Sequence, residues 1–466
     1  MNKKAITLLF ILTILRSIGV NAMNTSNKRT VFIHLFEWPW NDIATECERF
    51  LGRNGFSAVQ VSPPNEHAIF PDRPWYERYQ PVSYNLISSG GNEIEFADMV
   101  RRCKNAGVDI YVDAVINHMT WIPAINETRE GIGGTIYSRY KYYALYDYEH
   151  FHHYDFNGDG SIQNYQNRFE VQNGNVALCA DLATEHHYVQ KQIKKYFRHL
   201  ITLGVKGIRI DAAKHISSSD LALILEEFKN QIYVFQEVLD LGIEPIKAIE
   251  YLPNGDVTEF KYSKAINDIF SHGKLSYLRD LGIKWDFLPS ENAVIFIDNH
   301  DTQRHNDQIN YKSGNLYYLA NAFMLAYPYG YPQILSSYPF QNYHEGPPRN
   351  SIGKTVGPAL APDKWNWEHH HPYIYKMVQF RNKTDEKFYV TNWWSNGNNQ
   401  IAFGRDDLGF IAINRENSPM TEVLQTNMSP GNYSDLLSNT IIFVDNRRII
   451  HATLPPQSAF AILKKN

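Results

Sequence analysis

The sequence predicts an α/β chain folded as a (β/α)8 TIM barrel, with an irregular insertion after the third strand and a C-terminal antiparallel β-sandwich. Three observations predict it. Short apolar strands alternate with amphipathic helices from Thr30 onward. The alternation breaks between Met119 and Leu182. From Phe403 it gives way to short strands separated by turn residues.

Val31–Phe36 reads as the first strand and Asp42–Leu51 as the first helix. Ala58–Val61 is the second strand. Glu93–Ala106 is a helix, because Phe96, Met99, Val100 and Cys103 fall on one face at the helical period. Asp109–Ile116 is a strand. Val189, Ile193, Phe197 and Leu200 recur at helical spacing. Val205–Ile210 is a strand, Leu221–Phe228 a helix and Ile232–Phe235 a strand. Val294–Ile297 follows as a strand, then a helix across Leu316–Leu325. Such alternation implies a parallel sheet covered by helices. About eight strand–helix units over this length favour a closed barrel over an open sheet.

The interval from Met119 to Leu182 is rich in Gly, Asn, Asp, His and Tyr and lacks helical periodicity. Phe410–Ile413, Ile441–Val444 and Ala459–Leu463 are the strands of the last unit. The expected division is a leader at 1–22, a barrel at 23–117 and 183–405, an insertion at 118–182, and a β-sandwich at 406–466.

Lys3 and Lys4, the apolar run Ala5–Leu15 and the small residues of Val20-Asn-Ala22 read as a secretory signal peptide cleaved near Ala22. The run is too short to span a bilayer. A secreted, extracellular monomer is expected. The net charge of −4 carries no polybasic footprint, so neither nucleic acid nor an anionic membrane is an expected partner. Aromatic residues make up 14% of the chain, with 30 Tyr, which suits stacking on sugar rings as well as core packing. Three cysteines, Cys47, Cys103 and Cys179, leave one unpaired in a secreted chain. Sequons at Asn24, Asn126, Asn382, Asn427 and Asn432 mark glycan acceptors if a eukaryotic pathway makes the chain.

Three acids end apolar strands. Asp211 closes Gly207-Ile-Arg-Ile-Asp211, and Glu237 closes Tyr233-Val-Phe-Gln-Glu237. Val294-Ile-Phe-Ile-Asp298 runs on through Asn299 and His300 to Asp301. The C-terminal ends of barrel strands meet on one face, where active sites lie. Crowding and burial push carboxyl pKa values apart, as glycoside hydrolysis requires: one acid must stay ionised and another protonated. Singly, each acid reads equally well as a helix cap or an Arg partner. Together, with His215 and His300 nearby, they read as a catalytic set.

Asp113-Ala-Val-Ile-Asn-His118, Gly207-Ile-Arg-Ile-Asp-Ala-Ala-Lys-His215, Phe235-Gln-Glu-Val238 and Phe296-Ile-Asp-Asn-His-Asp301 resemble, in order and spacing, the four conserved segments of the α-amylase family of glycoside hydrolases. Val59–Asn65, Arg73–Tyr84 and Ala402–Arg405 look like its animal-type branch, and the resemblance covers nearly the whole mature chain. It implies that Asp211 is the nucleophile, Glu237 the general acid/base and Asp301 the transition-state stabiliser. The implied reaction is endo-hydrolysis of α-1,4-glucans with retention, which places the Asp211 and Glu237 carboxyls roughly 5–5.5 Å apart. Trp75, Tyr76, Tyr79, His118, Arg209, Lys214, His215 and His300 match substrate-binding positions.

The resemblance also implies a structural Ca²⁺, held by the side chains of Asn117 and Asp181 and the carbonyls of Gln172 and His215; hard oxygen ligands suit it. Asp155-Phe-Asn-Gly-Asp-Gly160 looks like the start of a competing EF-hand loop, but its twelfth position is Gln166 rather than Glu. Arg209 and Asn299 match two of three chloride ligands, and Gln333 stands where the family has the second Arg. Losing that fixed charge weakens anion binding, so activity without chloride is expected. The segment His305–Ile309 lacks the glycines of the family's mobile loop. Cys47 and Cys103 match one bonded pair, leaving Cys179 as a buried thiol. Two other readings remain: an α-glucosidase or transglycosylase of the same superfamily, and an inactive binding homologue.

Overall fold

The computed structural model describes residues 30–465, apart from Ile125, Ala144 and Asn157. The expected leader and the Asn24 sequon lie outside the described residues. Eight parallel strands close a barrel: β1 (Phe32–Leu35), β2 (Ala58–Val61), β3 (Asp109–Ala114), β4 (Gly207–Ile210), β5 (Tyr233–Gln236), β6 (Asp256–Thr258), β7 (Ala293–Ile295) and β8 (Tyr331–Ser336). Each strand pairs with its sequence neighbour, and β8 closes onto β1 in register Phe32 to Gln333. β6 and β8 have no counterpart among the strands read from the pattern. β6 is three residues long, too short for a period to show.

The outer helices bury the predicted faces. In α2 (Glu93–Asn105), Phe96, Met99, Val100 and Cys103 are buried. A capping box between Asn92 and Glu95 satisfies its first turn, worth about 1 kcal/mol. α3 (His187–Thr202) buries Val189, Ile193, Phe197 and Leu200. The first helix covers the expected segment and extends past it: α1 (Trp40–Glu46) continues through a wider helical turn over Cys47–Leu51 to a last turn at Gly52–Asn54. Close approach explains the glycine there, since a Cβ on Gly52 would lie 2.5 Å from the Ala106 carbonyl. Cys47 and Cys103 form the one disulfide among the described residues, and Cys179 is a buried free thiol.

The segment after β3 forms an irregular unit built on the pair His118–Trp121 with Cys179–Asp181 and a small three-stranded sheet. The C-terminal unit is antiparallel. Strands 391–395, 400–404, 409–414 and 458–463 form one sheet, and the antiparallel pair 420–425 with 449–454 packs on it. Phe410, Phe460, Ile462, Met420 and Leu424 make the core between them. No helix of the described residues is long and apolar enough to cross a membrane. Asn382, in one of the sequons, is engaged structurally: its side chain accepts from Thr30 and donates to the Gly55 carbonyl.

Candidate active site

Strand alternation builds the site in layers. Residues i and i+2 of a strand share a face. The N-terminal end of the barrel is plugged by Phe32, Ala58, Tyr111, Phe235 and Val294. Gly207 is small because a Cβ there would lie 2.2 Å from the Tyr111 ring. Two residues further along the same strands stand His34, Gln60, Asp113, Arg209, Glu237 and Gln333, a polar layer on an apolar floor. Asp211 is two residues past Arg209.

Arg209 organises this layer. Its Nη1 lies 2.5 Å from Asp113 Oδ1 and 2.8 Å from Asp211 Oδ1, and its Nη2 lies 2.8 Å from Glu237 Oε1. Glu237 Oε2 accepts from the backbone N–H of Ala212 at 2.8 Å. Asp113 Oδ2 accepts from the Tyr79 hydroxyl at 3.0 Å and from Gln60 Nε2 at 3.2 Å. One guanidinium therefore faces three carboxyls, with Asp301 nearby at the cleft floor.

One cation cannot neutralise four acids, and burial raises Asp113, Asp211 and Asp301 together. Burial pushes the Asp211 carboxyl well up, Arg209 opposes that shift, and the charge of Glu237 adds to it. Desolvation by the cleft walls, reinforced by Glu237, pushes Asp301 up to about 7. Burial lowers His118 to about 4 and holds His300 far below its ordinary value. Both imidazoles are neutral at pH 7. Neutral His300 directs its Nε2 to Asp301 Oδ2 at 3.2 Å and stacks on Tyr79 at 5.1 Å.

These groups floor an open cleft of about 780 Å³. Trp75, Tyr76, Tyr79, His118, Lys214, His215 and His300 all line it with the three acids. Arg209 does not line it, because its donors are turned into the carboxylate layer below. His118 has both ring nitrogens engaged, one on the Tyr79 carbonyl and one on Asn117. Lys214 donates to the Leu239 carbonyl at 2.8 Å and pairs with Glu244. Trp121, Leu239, His305, Tyr343 and His344 also line the cleft and were not singled out in the sequence. Tyr343 and His344 sit in the aperiodic segment after β8, where no pattern pointed to them. Asp113 was visible only as the opening residue of a motif.

Of the metal-type positions, Asn117 Nδ2 reaches Asp181 Oδ1 at 3.2 Å, and His215 Nδ1 contacts the Val171 carbonyl, next to Gln172, at 2.9 Å. The Gln172 side chain turns away to the Tyr251 hydroxyl. In the EF-hand-like stretch, Asp159 caps its own turn through Ser161 N, and Gln166 donates to Ile243 O. Of the anion-type positions, Asn299 Oδ1 accepts from the N–H groups of Asp301 and Thr302, while Gln333 donates to Gln60 Oε1. The segment His305–Ile309 is pinned: Ile309 N donates to Asn267 Oδ1 at 2.7 Å, and Asn267 Nδ2 donates to Asp307 O at 2.9 Å.

Comparison with known proteins agrees with this architecture. Residues 55–236 match the alpha amylase catalytic domain, and residues 393–465 match the alpha amylase C-terminal all-beta domain. The chain is 42% identical to human alpha-amylase 1B over 455 residues, spanning 89% of this chain and 88% of the relative. It is 40% identical to an alpha-amylase of Oryzias latipes over 472 residues, spanning 92% and 91%. A solved structure of a mutant alpha-amylase I from Eisenia fetida with maltohexaose superposes with a TM-score of 0.90 at 36% identity, covering 94% of this chain and 98% of that one.

Proposed function

Because this chain belongs to the α-amylase family of glycoside hydrolases, we propose that it is a secreted endo-acting enzyme that cleaves internal α-1,4 bonds of starch-type glucans with retention. The observation that carries this reading is the single Arg209 guanidinium bridging Asp211 and Glu237. Sharing one cation supports the close carboxyl spacing of a retaining pair.

In this mechanism Asp211 attacks the anomeric carbon while Glu237 gives its proton to the glycosidic oxygen, which leaves as a hydroxyl. Glu237, now ionised, takes a proton from water. That water attacks the same carbon, and the bond to Asp211 breaks. Asp301 and His300 hold sugar hydroxyls as positive charge develops on the ring. Trp75, Tyr76 and Tyr79 supply stacking faces, and Lys214 and His215 serve the leaving-group side. The test is product analysis on soluble starch. Mixed oligosaccharides released first as α-anomers are expected. Glucose alone would indicate an α-glucosidase, and β-anomers would indicate inversion.

A structural Ca²⁺ belongs to this reading, on the side chains of Asn117 and Asp181 and the carbonyls of Gln172 and His215. The donor set suits a hard cation. Asp181 is buried, and desolvation pushes it up to about 7. Burial lowers His152, yet its bonds to Asp181 and Glu185 raise it to about 9. His152 divides its contacts between Asp181 and Glu185, and burial still outweighs it at Asp181; a divalent ion would hold that carboxyl ionised. The ion would tie the insertion to the barrel.

Chloride plays no part in the proposed mechanism. Arg209 spends its donors on carboxylates, and Gln333 adds no charge. One dialysis series checks both ions. Chelation in chloride-free buffer is expected to lower the thermal midpoint and the rate, and Ca²⁺ alone is expected to restore both. A requirement for added chloride would contradict this account.

A further inference from the structure

On the outside of the barrel, between the helix after β1 and the segment after β8, three metal-type side chains converge. Glu46 ends α1, and His369 and His370 lie in the turn Glu368–His370 before helix Pro372–Thr384. Glu46 Oε1 is 3.1 Å from His369 Nε2 and 2.7 Å from His370 Nε2. One donor atom from each residue lies within 4.8 Å of the other two.

The hydrogen bonds around His369 determine which of its nitrogens carries a proton. Ser336 Oγ donates its single hydrogen to Glu368 Oε2 at 2.8 Å. With Glu368 ionised, the same oxygen, 2.9 Å from His369 Nδ1, is left to accept, which places the His369 proton on Nδ1. Its Nε2 therefore turns a bare lone pair toward an anionic oxygen. An imidazolium would relieve this contact, but His369 is fully buried, which disfavours the charged ring. Burial also works against the Glu46 carboxylate, which keeps the His370 Nε2–H at 2.7 Å. A cation between the three atoms satisfies all of them.

We propose that Glu46, His369 and His370 form a site for a divalent transition ion of the Zn²⁺ class. Two imidazoles and one carboxylate suit that class and not Ca²⁺ or Mg²⁺. Three protein ligands and a water complete a tetrahedron. Its ligand–ligand edge is about 3.4 Å for bonds near 2.1 Å, so each histidine nitrogen needs to move away from Glu46 Oε1 by less than ~1 Å. Entry of the ion releases the Nε2 proton of His370 to solvent.

The surroundings fit the role. Ser336 and Glu368 orient His369 from behind, as outer partners orient metal-bound histidines. His370 stacks on Phe50 with ring centres 3.9 Å apart, and its side chain is 38% exposed, which gives the ion a way in. The site joins the helix after β1 to the segment after β8. It clamps the seam at which the barrel closes, across 323 residues of sequence.

The test uses the whole chain, stripped with chelator and then saturated with Ca²⁺. Zn²⁺ is expected to bind at one equivalent per chain and survive gel filtration in Ca²⁺ buffer. At about 100-fold excess over Kd it should raise the thermal midpoint by roughly 3 °C. Co²⁺ in its place should show the visible absorption of a four-coordinate ion. His370→Gln and Glu46→Gln should each lose the equivalent, the shift and the Co²⁺ spectrum, while starch hydrolysis reports that the fold is intact. His370 is half-exposed, so its variant should fold even where the Glu46 variant does not. A parent that binds no Zn²⁺, or a His370→Gln protein that binds it as the parent does, overturns the proposal.

Discussion

Glu237→Gln is expected to lower kcat on soluble starch by about 10³-fold while KM stays near its starting value, because the proton donor is lost and the sugar contacts are kept. Substitution also disturbs the site slightly. Both Glu237 oxygens accept from N–H donors, Arg209 on one side and Ala212 on the other, and a glutamine can satisfy only one. A second substrate separates chemistry from geometry. Fluoride leaves without a proton, so maltosyl fluoride should form the glycosyl-enzyme at nearly the parent rate. Azide, which needs no general base, should then release it as a glycosyl azide. Equal losses on starch and on the fluoride, with no effect of azide, would sink the assignment of Glu237 as acid/base.

Arg209→Gln should be the most damaging change below the cleft. It strands Asp113, Asp211 and Glu237 together without a cation. Removing one partner of a buried ionic network costs about 3–5 kcal/mol, read here as a lowered thermal midpoint. The effect should depend on pH, and the sign follows from linkage. Burial already raises the Asp211 and Asp301 carboxyls in the folded chain, the latter to about 7. The folded state therefore holds protons that the unfolded chain releases, and stability is lost as pH rises through that range. Without Arg209 the carboxyls rise further, so the loss of stability should be greater at pH 8 than at pH 5. The nucleophile also becomes harder to ionise. The acid limb of kcat/KM should move to higher pH, and the value near neutrality should fall by at least about 10²-fold. A stability loss equal at both pH values, with an unmoved acid limb, would mean that Arg209 does not set these ionisations.

Much of this was legible before any coordinates. Val189, Ile193, Phe197 and Leu200 are buried on one helix face, as their spacing required. The motif acids stand at or just beyond strand ends because Ile208 and Ile210 point into the outer core while Arg209 and Asp211 point inward. What the pattern missed had physical reasons. β6 is too short to show a period. The wide turn at Cys47–Leu51 starts at the cysteine bonded to Cys103 of α2, a contact that helical periodicity does not show. Tyr343 and His344 reach the cleft from a segment with no periodicity at all.

The sequence by itself determined the barrel rhythm, the three acids at or beyond strand ends and the neutral side chain at Gln333, since periodicity and residue type are local properties. Only the tertiary structure decided that one guanidinium holds Asp113, Asp211 and Glu237 at once, and that Glu46 meets His369 and His370. Those relations depend on barrel closure, which brings side chains together across hundreds of residues and removes the water that would otherwise screen them.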